Sequence, residues 1–207
     1  MKKSKGIKKG FCLSFMILAV LTLMISGALA QTQKGSSRQF YIEPLLNIDN
    51  PQSEFRVDLW TDRDDATYKI GDKVTFFFKT DKDCRVTLLN VGTDGKVQLL
   101  FPNEYHKDNQ VKAGAVYTIP PQEAKFAIKA KAPAGEDTVK AIATLDKVDL
   151  IKDDDIIPVK GFIKGFSGVN KNVRTLTIEL EETLRPVNPK KWAETQTMVR
   201  IVPNISK

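Results

Sequence analysis

The chain is 207 residues long and 42% hydrophobic, with 32 basic and 25 acidic side chains, a formal net charge of +7 and a pI of about 9.3. A basic balance of that kind would point to nucleic acid. Five of the lysines, however, sit in the first 30 residues (Lys2, Lys3, Lys5, Lys8 and Lys9), and without them 27 basic side chains face 25 acidic ones, a net charge of +2 that excludes the nucleic-acid reading.

Residues 1–30 read as a secretory signal peptide. The lysines form a basic start, residues 11–25 are apolar, and the run ends in small residues with Ala28 and Ala30 placed for cleavage after Ala30. The alternative is a permanent anchor, for which the apolar run is short, since a bilayer core needs about 20 residues. Cys12 stands at the start of that run and not after small residues at its end, which argues against a lipid anchor. The protein is therefore expected outside the cytoplasm, periplasmic or secreted, and in a membrane only through the signal before it is cut. The remaining 177 residues suit one domain with extensions. Cys84 is then the one cysteine left, so no intramolecular disulfide can form, and its thiol is expected to point inward. A nucleophilic role would need a neighbouring base.

Residues 31–54 form a leader whose start (QTQKGSSR) is polar and glycine/serine-containing, while residues 40–48 carry enough apolar side chains to dock on something. Residues 55–60 (FRVDLW) alternate, sending Phe55, Val57 and Leu59 to one face and Trp60 to the other. Residues 61–67 are a charged loop. Residues 73–79, 84–91 and 96–101 then predict three strands in succession, β-branched and aromatic, with Thr93-Asp94-Gly95 as a hairpin turn and Pro102 as the stop. Further strands are predicted at 116–119, at 125–131 (with Phe126, Ile128 and Ala130 against the lysines) and at 137–145. Short strands at this pace imply a sandwich or barrel, not parallel α/β units.

Beyond Leu150 the rhythm changes. Residues 152–155 (KDDD) and 161–168 (GFIKGFSG) read as an excursion from the sheet. In residues 172–185, Val173, Leu176, Leu180 and Leu184 have helical spacing while Leu176, Ile178 and Leu180 alternate; the reading leans to a helix ended by Pro186. Residues 195–202 (TQTMVRIV) read as a strand returning to the sheet. The expected fold is mainly β, an antiparallel sandwich (Ig-like or related) over residues 55–150, with a C-terminal extension over 151–207 that has room for one short helix.

Taken in order, Y-x-I-G-D-x-V-x-F at 68–76, V-T-L-L-N-V-x-x-D-G-K-V at 86–97, L-F-P-N at 100–103, A-G at 113–114, I-P at 119–120 and P-A-G-E-D-T-V-K-A-I-A-T at 133–144 form a series. That series resembles the bacterial domain of unknown function 4384 family over roughly residues 55–150. The resemblance implies a compact β-sandwich-like module of exported proteins, in other cases appended to protein kinases or caspase-like peptidases. It implies no catalytic residues, and the chain has neither a kinase-like glycine loop nor a His/Cys peptidase pair.

The candidate binding surface is Asn103, Glu104, Tyr105 and His106, where a Pro-Asn corner could present an aromatic plate beside polar groups, together with Phe162 and Phe166 between glycines. Each has a plainer alternative. Asn103 can bond local backbone while Tyr105 covers the sheet end, and the two phenylalanines can be pinned to the core. His106 has no second histidine to join it at a metal, and a lone loop histidine is commonly just solvated. The aspartates at 62, 64 and 65 and at 153–155 lack the alternating spacing of a calcium loop and read as solvated charge. No cofactor, metal or catalytic residue is assigned. The leading expectation is a non-enzymatic exported module binding a protein partner or a cell-envelope polymer. The alternatives are a hydrolase using His106 with Glu104 or a nearby aspartate, and a purely structural envelope subunit.

Overall fold

The computed structural model describes residues 48–158 and 166–204. The expected signal peptide, leader residues 31–47 and Phe162 lie outside the described residues. In chain order the strands are β1 (Val57–Thr61), β2 (Thr67–Lys69), β3 (Lys73–Val74), β4 (Phe76–Thr80), β5 (Cys84–Val91), β6 (Val97–Phe101), β7 (Gln110–Val111), β8 (Val116–Ile119), β9 (Ile128–Lys129), β10 (Gly135–Thr144), β11 (Ile156–Pro158) and β12 (Ser167–Val169). A helix, α1 (Val173–Leu184), and a long last strand, β13 (Trp192–Val202), complete the order.

The strands build a small sheet, β1-β4-β8, a large one, β11-β12-β6-β5-β10-β13-β2 with β7 beside β5, and a ribbon of β3 with β9. The fold is mainly β and sandwich-like, as expected, and nearly all pairs are antiparallel. Among the described strands one pair runs parallel: β2 joins β13, Thr67 opposite Arg200. The first core lies between the two sheets, where Val57, Phe76, Phe78 and Ile119 of the small sheet meet Val86, Leu88, Phe101, Val139 and Ile201 of the large one.

A second core lies on the other face of the large sheet. There Leu89, Val91, Leu99, Ile142 and Trp192 pack with Leu176, Leu180 and Leu184 of α1. Helical spacing wins over alternation in this segment because those three leucines all reach one face, each contributing about 1.5–3 kcal/mol on burial. Asn172 starts the helix, its Oδ1 accepting from the Thr175 N–H at 2.9 Å. Pro186 follows directly after the cap at Arg185.

With both faces covered, the large sheet's central strand β10 is buried without a break from Thr138 to Thr144. Its hydrogen-bonding edges are filled by β5 on one side and by β13 on the other. The expected returning strand is therefore an interior strand of the sheet, three residues longer at its start. The end of the second expected excursion, Ser167 and Gly168, belongs instead to strand β12, which pairs with β6, and β11 adds a further strand at the sheet's edge.

Two other expectations are corrected. The single strand expected over 73–79 is broken at Thr75, whose N–H donates to Asp62 Oδ1 at 2.8 Å and whose carbonyl accepts from the Asp62 N–H at 3.0 Å. Asp62 thus diverts the chain from the ribbon into the small sheet. The strand expected over 125–131 shrinks to Ile128–Lys129. The hairpin between β5 and β6 turns where expected, with Gly95 at φ +78°.

Cys84 points inward, 6% exposed. Burial pushes its thiol above the ordinary range, against a weaker pull from Thr80. A bulky thiol reagent is therefore expected to label the folded protein only as it unfolds, with urea raising the labelling rate in step with unfolding. Rapid labelling in native buffer would contradict this packing.

Candidate functional site

The corner after β6 is built by Asn103. Its Nδ2 donates to the Leu100 carbonyl at 2.9 Å, and its Oδ1 accepts from the N–H groups of Tyr105 and His106, each at 3.0 Å. The backbones of Asn103 and His106 also bond each other in both directions. With 9% exposure and its polar atoms engaged, Asn103 holds the corner and presents nothing to a ligand. Glu104 is exposed beside it.

Tyr105 and His106 leave this corner in different environments. Tyr105 is 42% exposed and leans on Phe126, with ring centroids 5.6 Å apart. Phe126 in turn meets Phe166 edge-on, again at 5.6 Å. Tyr105, Phe126 and Phe166, spread over some 60 residues of sequence, form one aromatic row. Phe166 also packs against the core between the sheets, so its row is anchored from below.

His106 is half-buried, its ring against Phe101 at 5.7 Å and Tyr117 at 6.1 Å. This corrects the expectation of a solvated loop histidine. Its Nδ1 is buried and finds no hydrogen-bond partner among the described residues, so no carboxylate orients the ring there. Among the described residues no three His, Cys, Asp or Glu side chains gather into a cluster.

The aspartate clusters hold structure. Asp62 accepts from the Tyr68 hydroxyl at 2.8 Å as well as from Thr75. Burial, more than that bond, pushes the Tyr68 phenol up to about 12. Asp155 pairs with Lys171 at 2.6 Å, and Lys171 also grips Glu179 of α1. Lys171 is raised above the ordinary lysine range by its bonds to Asp155 and Glu179.

Sequence reasoning placed Phe126 only on the dry face of a strand and missed it as the bridge between Tyr105 and Phe166. The signal was its alternation with Lys125, which left an aromatic at the edge of a short segment rather than under a sheet. No curated protein and no solved structure matches the chain. Residues 67–147, from β2 to just past β10, match the family model described as Domain of unknown function (DUF4384), and over that segment the chain is similar to that family.

Proposed function

We propose that this protein is an exported, non-enzymatic module that binds a partner protein or a cell-envelope polymer through the row of Tyr105, Phe126 and Phe166. The observation that carries the reading is the row itself: an exposed tyrosine backed by two phenylalanines and held on a corner whose own polar atoms are spent. Rigid aromatic side chains supply contact area at little cost in conformational entropy, and they dominate binding hot spots. Glu104 stands exposed at the rim, where a polar group can fix the orientation of a partner. Export is supported by the basic, apolar and small-residue pattern of residues 1–30.

The test is affinity capture from an envelope extract with the chain beginning at Gln31, followed by titration of the captured partner. Tyr105→Ala is expected to weaken binding by about tenfold or more while the melting temperature changes little, since Tyr105 stands 42% exposed at the surface and outside both cores. His106→Ala should do the reverse: it removes a ring packed on Phe101 and Tyr117, costing about 1 kcal/mol of stability, and leaves the affinity of the folded protein within a few-fold. Unchanged affinity in Tyr105→Ala would defeat the assignment of this surface. A hydrolytic activity of the purified chain that vanishes in His106→Ala would defeat the non-enzymatic reading.

A further inference from the structure

The ribbon of β3 and β9 stands against the large sheet near the turn between β5 and β6 and encloses a cavity of about 90 Å³. Its depth is apolar, walled by Val74, Leu100, Val199 and Ile201, each no more than 4% exposed. Two polar side chains interrupt that wall. Asn90 keeps a buried Oδ1 that no described donor reaches. Asp137 accepts from the Thr93 N–H and hydroxyl, both at 2.7 Å and both on Oδ1. Burial still pushes the Asp137 carboxyl up, against the pull of the two Thr93 bonds and a smaller one from the Asn90 side chain. Exposed Lys129 and Lys131 line the same cavity at its outer side, together with Asp94 and Lys96, which pair with each other at 3.0 Å, so lysines outnumber carboxylates there three to one.

We propose that this cavity binds a small aliphatic zwitterion, its ammonium head inside and its carboxylate at the lysine-lined mouth. Inside, the groups in need are acceptors. An orphaned amide oxygen and a poorly solvated carboxylate are both satisfied by an N–H-rich cation, and neither is satisfied by a second anion. The walls beyond them offer contact to methylene groups and to little else. A bare amine would enter past two lysines against like charge, so a carboxylate at the far end turns that repulsion into attraction. The apolar depth of the cavity suits an ammonium carried on a few methylene groups. This site is separate from the aromatic row and does not depend on the function proposed there.

The test is NMR titration of the chain from Gln31 with 4-aminobutyrate, n-butylammonium and butyrate, reading the amides of residues 90–93, 128–131 and 137. Saturable shifts are expected with 4-aminobutyrate at millimolar concentration, about what so few heavy atoms can supply. Each of the two half-ligands should bind about tenfold or more weakly, because each lacks one end of the charge pattern. Asp137→Asn keeps an acceptor for Thr93 and removes the charge, so it should weaken 4-aminobutyrate by about tenfold or more. Lys129→Glu is the second variant; it changes an exposed side chain outside the core and should weaken the same ligand without altering the melting temperature. Equal binding of butyrate or n-butylammonium, no saturable shift by about 100 mM, or full affinity in Lys129→Glu would overturn the proposal and leave a cavity that holds only water.

Discussion

Glu194→Ala is expected to cost the folded protein about 3–5 kcal/mol, as breaking one side of a buried ion pair does. Its partner, Lys140, lies in the middle of β10 at 1% exposure, on the face covered by α1. The Lys140 ammonium bonds the Glu194 carboxylate on the neighbouring strand β13 and donates to the Ile48 carbonyl at 2.6 Å. Removing the carboxylate leaves an ammonium with one neutral acceptor in a nearly dry site. Lys140→Met should cost less, because the Glu194 side chain keeps 15% of its exposure and can still reach water. Lys140→Met combined with Glu194→Leu should recover most of the loss, since two apolar side chains ask for no solvation. Urea unfolding of the four proteins in a double-mutant cycle measures all three expectations. A cost below about 1 kcal/mol for Glu194→Ala would mean that water reaches the ammonium.

The same pair shows why part of the fold was hidden in the sequence. Alternation marks a strand that is wet on one face, and it located β1, with Trp60 outward at 38% exposure. In β10 both faces are buried, so Lys140 in the sequence looks like a solvent-facing residue when it is in fact the charge that ties β10 to β13 and to Ile48. The β5–β6 hairpin was legible because its signals are local: β-branched residues, then Asp94-Gly95 with the glycine at positive φ. Strand β2 was not, because its three residues are held by a parallel partner more than 130 residues away, and nothing near Tyr68 announces that pairing. The break at Thr75 depends on Asp62, a residue that reads as loop charge until its hydrogen bonds are seen. At the candidate site the corner residue Asn103 and the exposed Tyr105 could be found from their types. Their separation into a structural and a presenting role, and the meeting of Tyr105 with Phe126 and Phe166, are products of tertiary packing alone.

A fragment of residues 67–147, the segment that matches the family model, is expected not to fold by itself. It keeps β5, β6 and β10 but loses the strand that fills the other edge of β10. That strand, β13, pairs residue for residue from Gly135 opposite Ile201 to Thr144 opposite Trp192. Strand β2 would lose its parallel partner, β4 would lose β1, and the face carrying Leu89, Val91, Leu99 and Ile142 would lose α1. Lys140 would be left without Glu194 on a sheet edge open to water. At this size a domain is already marginal, burying only about 60–70% of the surface of its unfolded chain. Uncovering one whole face of its main sheet removes several side-chain burials of about 1.5–3 kcal/mol each, against a total stability of about 5–15 kcal/mol. Residues 48–204, in contrast, retain both cores and should unfold in one cooperative step. Proton NMR dispersion and urea melts of the two fragments decide the matter: a dispersed spectrum and a cooperative melt from residues 67–147 alone would show that the matched segment is self-sufficient and that β13 and α1 only decorate it.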